Sequence, residues 1–437
     1  MRKENGETVL QDNELCAVPS NKRKNMFTII AVLMCWIINP TPATTGGSIA
    51  TGMTLPMALL AIFIGAIILG LYSMPISAVG AKEGLSTSMV AKIAFGEKGA
   101  NIVAVAMAIA NIVFYGVTVG FFLPSLEVLF NLPAGSSQIW GGIVFCLLMG
   151  TSAFLGFKGV ARLSNIIVIP MCIVFVVAAI KGIVDGGGWS TICQIGPTSD
   201  PLDFGTAVTT AIGIFVAGAT LASDVTRYSK NGKQASISSI LSFGVCFFIF
   251  VSLGAIAVKG TGSSDLVSLI CSMGGVVFSI IGFLLLLFST WSSADNNVYS
   301  AGLAMSKLFN CPKWICTIVT VVIGAIVCVT GVYGHLSAYC GILGMLMPPI
   351  GIIIAIDYFL IKKNVSNKMA SIKNYHSIAI ISWVIAVVGD FFTGNPLGIL
   401  PYHIGVSGIN SLVLGAVVYF ILAKCFVKTD SAANTAA

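Results

Sequence analysis

The sequence predicts an all-α polytopic membrane protein of about twelve transmembrane helices. Three observations carry that expectation: an excess of apolar residues, a shortage of charged ones, and the way the basic residues sort along the chain. Of the 437 residues, 57% are hydrophobic and only 9% are charged, and the mean hydropathy is +0.98. A soluble domain carries roughly a quarter charged residues, so this chain lacks the polar groups to cover a water-facing surface. A helical crossing needs about 20 mostly apolar residues. The chain supplies such runs repeatedly, with short polar connections between them.

Residues 1–25 are polar and mixed in charge, ending in Asn21-Lys22-Arg23-Lys24-Asn25. They read as a cytoplasmic tail rather than a signal peptide, because the following apolar stretch is too long and lacks a cleavage site. The first six expected spans are Met26–Met53, Pro56–Val79, Ala100–Phe130, Gln138–Gly156, Leu163–Val184 and Gly205–Thr226. The next six are Ser236–Val258, Ser268–Met305, Trp314–Val332, Leu336–Leu360, Ile378–Phe392 and Ile404–Phe426. The third and eighth exceed one bilayer thickness, which implies tilt or extension beyond the lipid. The polar end of the chain, 428–437, reads as a cytoplasmic tail.

Twelve spans with the N-terminus inside put every Lys and Arg on the cytoplasmic side except Lys181 and Lys259, out of 23. A wrong span count would scramble this sorting, so the positive-inside rule supports number and orientation together. The net charge of +7 is then a matter of topology, and no nucleic-acid partner is implied. The 12 cysteines are scattered, mostly singly in apolar runs, and read as small buried hydrophobes. Cys311 and Cys316 share a short Lys-bearing loop without a matching ligand pair, which argues against zinc.

Two spans carry breaking residues. In the first, Asn39-Pro40-Thr41-Pro42 is followed by Gly46-Gly47, and the prolines remove helical donors. In the sixth, Gly213-Ile214-Phe215-Val216-Ala217-Gly218-Ala219-Thr220 combines glycines with β-branched residues at mid-span. Broken backbone at membrane depth is tolerated where it is buried in protein or lines a cavity. The breaks lie five spans apart, so the two segments run in opposite directions, as an inverted repeat requires. Two kinked helices without symmetry are the alternative.

At this point the chain resembles the nucleobase–cation symporter family, and within it the cytosine permease branch. The resemblance rests on Thr44-Thr45-Gly46-Gly47, Gly80-Ala81-Lys82-Glu83-Gly84-Leu85-Ser86-Thr87 and Phe114-Tyr115-Gly116-Val117-Thr118. It continues through Ala217-Gly218-Ala219-Thr220-Leu221-Ala222-Ser223-Asp224-Val225-Thr226-Arg227-Tyr228 and Thr290-Trp291-Ser292-Ser293-Ala294-Asp295-Asn296-Asn297. The resemblance implies a LeuT-like core of two inverted five-helix repeats, about 26–184 and 205–360, with two extra C-terminal helices in 361–427. It also implies cation-driven import of a planar heterocycle by alternating access in the cell membrane, with no cofactor beyond the coupling ion and no obligatory protein partner.

In such a carrier a sodium ion sits between the unwound first span and the eighth. The matching positions offer the carbonyls of Cys35, Ile38 and Ser289 and the hydroxyls of Ser292 and Ser293. A hard monovalent cation suits neutral oxygens, and a broken helix frees carbonyls that an intact one would occupy. Serines that bond back to carbonyls one turn earlier are the structural alternative. A proton-coupled carrier would instead show an isolated carboxyl at mid-membrane. The acids available are Glu127 at the outer end of the third run, and Asp224 and Asp295 toward cytoplasmic ends. Asp224 is expected to pair locally with Arg227, and Asp357 to be interfacial.

For the substrate, the resemblance implies Asn111, Phe114 and Thr118 on the third span facing Ile214 and Phe215 on the sixth, with Asn296 and Asn297 nearby. The spacing 111, 114, 118 puts the first three on one helical face. Two aromatic rings could sandwich a flat base, and Asn offers both a carbonyl and an NH₂ to its edge. The chain departs from the cytosine permease pattern, where Gln, Trp and Ser are expected at Asn111, Phe114 and Ile214, and Asn at Ala294. A thiamine-precursor pyrimidine, a purine or a hydantoin therefore stands beside cytosine. An enzyme is disfavoured: His335, His376 and His403 lie at or outside span ends, and no HExxH or GxSxG occurs. A channel would tend to present repeated filter loops or charged rings, and neither is present.

Overall fold

A computed structural model describes residues 3–4, 7–8, 15–155, 157–263, 266–272, 274–363, 372, 376–397, 399–400 and 404–426. The expected C-terminal tail lies outside the described residues, as do much of the N-terminal tail and His403. Apart from a two-residue antiparallel pairing of Lys3–Glu4 with Glu7–Thr8, regular structure among the described residues is helical. Lipid offers backbone groups no partner, so a spanning chain must satisfy them within helices.

The first half comprises α1 (Met26–Ile37), α2 (Pro40–Gly52), α3 (Leu55–Glu83), α4 (Thr87–Gly120), α5 (Leu123–Phe130), α6 (Gln138–Met149) and α7 (Phe157–Asp185), and α8 (Trp189–Gln194) lies in the connection. The second half begins with α9 (Phe204–Thr220), α10 (Ala222–Thr226) and α11 (Gly232–Ser239). The last of these passes through a π-helical stretch, Ile240–Cys246, into α12 (Phe247–Thr261). There follow α13 (Leu266–Ser272), α14 (Val276–Phe309), α15 (Lys313–Val329) and α16 (Leu336–Ile356), then α17 (Ser377–Gly394) and α18 (Ile409–Phe426). Among the described residues, nine helical segments are long and apolar enough to cross a membrane, ten if the bent pair α1–α2 is one span. The shorter apolar helices α6 and α15 occupy the places of the fourth and ninth expected spans.

The packing has the exchange of partners that an inverted repeat produces. The opening helix of each half lies against the second helix of the other half, α2 on α12 and α9 on α3. It also lies against the fifth of its own half, α1 on α7 and α9 on α16, while the third helices α4 and α14 pack on each other. Small residues permit the closest of these approaches, as in membrane helix pairs generally. A Cβ on Gly46 would fall 2.1 Å from the Val251 carbonyl oxygen, and one on Gly254 2.2 Å from that of Ala43. Along α3, Leu60, Phe63, Ile67 and Leu71 form an exposed apolar stripe at helical spacing.

Several boundaries differ from expectation for visible reasons. The long eighth run is two helices, because Gly274 and Gly275 separate α13 from α14. The third span begins earlier, since Thr87–Phe95 is helical and turns into the span at Gly96, whose φ of 81° suits glycine. The first span breaks where the Asn-Pro-Thr-Pro segment predicts, at Ile38–Asn39, with a 52° bend. The sixth does not break within Gly213–Thr220. That stretch is regular helix, and the irregularity is confined to Leu221 (φ −88°, ψ 8°) just beyond it. Its glycines serve packing instead: a Cβ on Gly213 would lie 2.4 Å from the Cys340 carbonyl oxygen of α16.

The two lysines outside the positive-inside sorting are both engaged. Lys181 pairs with Asp185 at 2.8 Å one turn along α7. Lys259, nearly buried, donates to the carbonyl oxygens of Ala50 (2.9 Å), Met53 (3.0 Å) and Gly196 (2.7 Å), closing the C-terminal end of α2. Asp357, expected at the interface, lies at the C-terminal end of α16. It is fully buried and accepts from the Tyr419 hydroxyl at 2.6 Å and from Lys362 Nζ at 2.9 Å, tying α16 to α18.

Candidate functional site

The break in α1 follows from three donors. In a continuous helix Cys35, Trp36 and Ile38 would accept from residues 39, 40 and 42. Pro40 and Pro42 have no N–H to give, and the Asn39 N–H turns to Ile37 O at 2.9 Å. The Asn39 side chain then rebuilds the junction. Its Oδ1 accepts from Thr41 N at 2.9 Å, capping α2, and its Nδ2 donates to Trp36 O at 2.8 Å and to Ser293 Oγ at 3.0 Å. The carbonyls of Cys35 and Ile38 lose their helical donors at the same depth.

Across from the break, Ser292 and Ser293 of α14 turn to other helices rather than back to their own. The Ser293 hydroxyl donates to Trp36 O at 3.1 Å. Ser292 Oγ lies 2.9 Å from Ser164 Oγ on α7, and the Cys35 thiol donates to Ser164 O at 3.2 Å. Ser289 contributes only a buried position, since its hydroxyl returns to Leu286 O at 3.0 Å. Of the five residues expected at the cation site, Cys35, Ser292 and Ser293 are thus linked by hydrogen bonds where α1, α7 and α14 meet. Ser164 belongs to this cluster although nothing in the sequence singled it out.

Beside it lies a narrow cavity of about 20 Å³, room for roughly one water. Six of the seven residues expected at the substrate site line it: Asn111, Phe114, Thr118, Ile214, Phe215 and Asn297. Asn296 is not among them, and its amide donates to Ser292 O at 3.1 Å. Asn111 Nδ2 donates within its own helix, to Met107 O at 2.8 Å. Phe114 packs edge-on against Tyr339, with centroids 5.3 Å apart, and Phe215 edge-on against Trp36 at 6.4 Å. Trp36, Asn39 and Thr41 also line the cavity and were not foreseen. Asn39 sits directly before Pro40, a helix-start signature that marked it in the sequence.

Trp36 joins the two clusters. Its ring Nε1 donates to Asn297 Oδ1 at 2.8 Å, while its carbonyl oxygen receives Ser293 and Asn39. Asn297 Nδ2 continues to Thr118 Oγ1 at 3.4 Å. One residue of the broken helix therefore touches the serine cluster through its main chain and the cavity through its side chain.

The acids resolve differently from expectation. Asp295 does not lie toward the cytoplasmic end. It is near the middle of the 34-residue α14 and fully buried. One of its oxygens accepts from Ser152 Oγ, which also receives Trp291 Nε1 at 2.6 Å, and Oδ1 has no partner among the described residues. The expected pairing of Asp224 with Arg227 takes another form. The Asp224 carboxylate accepts from Thr87 N at 2.8 Å, meeting one of the orphan donors that open α4. Arg227 donates to the Asp224 main-chain oxygen at 3.3 Å and to the Tyr299 hydroxyl at 2.6 Å. Glu127 accepts from Ser137 Oγ at 2.6 Å and closes the α5–α6 turn.

A family model described as a permease for cytosine/purines, uracil, thiamine and allantoin matches residues 17–383. The cytosine permease of Escherichia coli strain K12 is 26% identical over 431 residues, covering 97% of this chain and 98% of its own length. Among solved structures, Mhp1, a nucleobase-cation-symport-1 transporter in a closed conformation with bromovinylhydantoin bound, superposes with a TM-score of 0.78 at 16% identity. That match covers 95% of this chain and 97% of the other. A sodium-coupled sialic acid symporter in a substrate-bound outward-open state gives 0.62 at 12% identity, covering 94% and 90%. At these identities the structural likeness establishes the LeuT-like fold.

Proposed function

The chain belongs to the family of permeases for cytosine/purines, uracil, thiamine and allantoin, a family of transporters rather than enzymes, and we propose that it imports a nucleobase-like heterocycle by sodium symport. The observation that carries this reading is the double engagement of Trp36. A cation drawn to the carbonyls of Cys35, Ile38 and Ser289 and the hydroxyls of Ser292 and Ser293 would take up the Ser293 hydroxyl that donates to Trp36 O, and so change how Trp36 is held. That change reaches the cavity through Trp36 Nε1, which donates to Asn297 Oδ1, and through Asn297 to Thr118. Coupling in such a carrier is the difference in affinity that one ligand makes for the other, commonly about 1–3 kcal/mol.

The substrate site is Asn111, Phe114, Thr118, Ile214, Phe215 and Asn297, whose lining suits an uncharged flat ring, with aromatic and aliphatic walls and amides to read its edge, once the narrow cavity opens to admit it. Relative to the cytosine permease pattern the pocket is less polar at Phe114 and Ile214, and its amide at Asn111 sits on a shorter side chain. The loss of a single buried hydrogen-bonding group can change specificity by orders of magnitude. The ten-helix core spans 26–360, helices α17 and α18 are peripheral, and both termini are cytoplasmic in the plasma membrane. Uptake into proteoliposomes of radiolabelled cytosine, competed by a panel of pyrimidines, purines and hydantoins under an inward sodium gradient, tests the reading. Saturable accumulation that collapses with the gradient supports it. The absence of accumulation of any such compound under any cation gradient overturns it.

Asp295 favours a second reading, proton coupling, since a buried mid-membrane carboxyl with an unsatisfied oxygen is a natural proton site. Asp295→Asn separates the two. Sodium symport predicts that the variant keeps sodium-driven uptake within about three-fold, whereas proton symport predicts a loss of ten-fold or more, with the wild type driven by a proton gradient in sodium-free buffer.

A further inference from the structure

Two thiols, Cys311 in the link between α14 and α15 and Cys316 in the first turn of α15, have their sulfurs 3.0 Å apart. That is about 1 Å beyond the length of a disulfide bond, roughly 2.05 Å. The approach is built by the turn itself. Asn310 ends α14 in the left-handed conformation with φ 51°, and Pro312 precedes the first turn of α15. Ser306 Oγ donates to the Cys311 carbonyl oxygen at 2.6 Å and holds the loop against the end of α14. Cys316 is buried, while Cys311 is partly open to solvent. Reactive thiols are found in partially exposed positions, and a second sulfur poised beside one is the arrangement of a resolving cysteine.

We propose that Cys311 and Cys316 form a reversible thiol–disulfide site that reacts with low-molecular-weight disulfides such as oxidised glutathione. The Cys311 thiolate attacks one sulfur of the small disulfide and expels the first small thiolate, giving a mixed disulfide on Cys311. The Cys316 thiolate then attacks the Cys311 sulfur, forms the internal bond and expels the second small thiolate. Two protein thiols are oxidised, one small disulfide is reduced to two thiols, and the two protons released go to the two leaving thiolates. The bond closes a ring over Lys313, whose ammonium lies 4.2 Å from the centroid of the Tyr299 ring. Tyr299 accepts from Arg227, so the redox state of the pair acts on a buried polar cluster at the end of α14.

The full-length protein, purified in detergent, is incubated with oxidised glutathione, its remaining thiols are alkylated, and it is digested with trypsin. Cleavage after Lys307 and Lys313 puts the two cysteines on different peptides, so the internal bond appears as a linked pair. The expected result is that most Cys311 is recovered in that pair and released by dithiothreitol. In the Cys316→Ser variant Cys311 should instead carry stable glutathione. The exposed thiols Cys16 and Cys425 report that the reagent is active. Recovery of wild-type Cys311 as the glutathione adduct, or of both cysteines alkylated while Cys16 and Cys425 are modified, overturns the proposal.

Discussion

The opening helices of the two halves occupy equivalent places in an inverted repeat yet differ in backbone. The first half bends by 52° between α1 and α2, whereas α9 runs regularly to Thr220 and meets only a one-residue irregularity before α10. Both segments carry residues regarded as helix breakers. The difference teaches which of them break. Proline deletes donors that the helix needs and makes an interruption obligatory. Glycine only lowers the cost of one, at about 1 kcal/mol relative to alanine in a helix, and here its missing side chain is used for close packing. Asn39 then converts the interruption into a defined geometry by capping α2 and holding Trp36 and Ser293.

Three substitutions sharpen this contrast. The largest effect is expected at Asn39→Ala, which leaves the break but removes the side chain that shapes it. Uptake should fall by ten-fold or more while the purified protein still elutes as a single folded species, consistent with loss of a cap worth roughly 0.5–2 kcal/mol together with two buried hydrogen bonds. Retention of full uptake would mean that the prolines alone define the junction. Gly213→Ala comes next. The added methyl would meet the Cys340 carbonyl oxygen at 2.4 Å, so overpacking by about 1–3 kcal/mol should appear as a lower thermal midpoint. A midpoint unchanged or raised would show that α9 has room to unwind there after all. The smallest effect is expected at Tyr72→Phe. The Tyr72 hydroxyl binds Thr220 Oγ1 at 2.7 Å and Met347 O at 3.1 Å at the end of α9, and its removal should cost about 1 kcal/mol with little change in uptake.

Much of the fold was legible in the sequence because lipid leaves so few solutions: apolar runs must be helices, and the lysines that end them sort by side. What escaped were features that depend on partners far away in the chain. Gly213 and Gly218 look alike whether they unwind a helix or admit a neighbour, and only the position of Cys340 decides for Gly213. The burial of Asp357 depends on Tyr419 from α18, more than sixty residues away. At the site, Asn111, Phe114, Thr118, Ile214, Phe215 and Asn297 meet at one cavity, and the resemblance to a family, not composition, brought them together. Trp36 and Asn39 were overlooked although the Asn-Pro junction announced a helix start. Ser164 gave no local signal at all, since a serine near the start of an apolar run is ordinary.

The central claim is that the break at Ile38–Asn39 makes the cation cluster and the cavity one thermodynamic unit. Calorimetric titration of the purified protein with the tightest-binding member of the heterocycle panel, with and without sodium, addresses it most directly. The account predicts that sodium strengthens binding by ten-fold or more in the wild type, and that the Ser292→Ala, Ser293→Ala double variant binds equally in both buffers. A wild-type dissociation constant that does not change with sodium, or a double variant that keeps the full sodium effect, would contradict it.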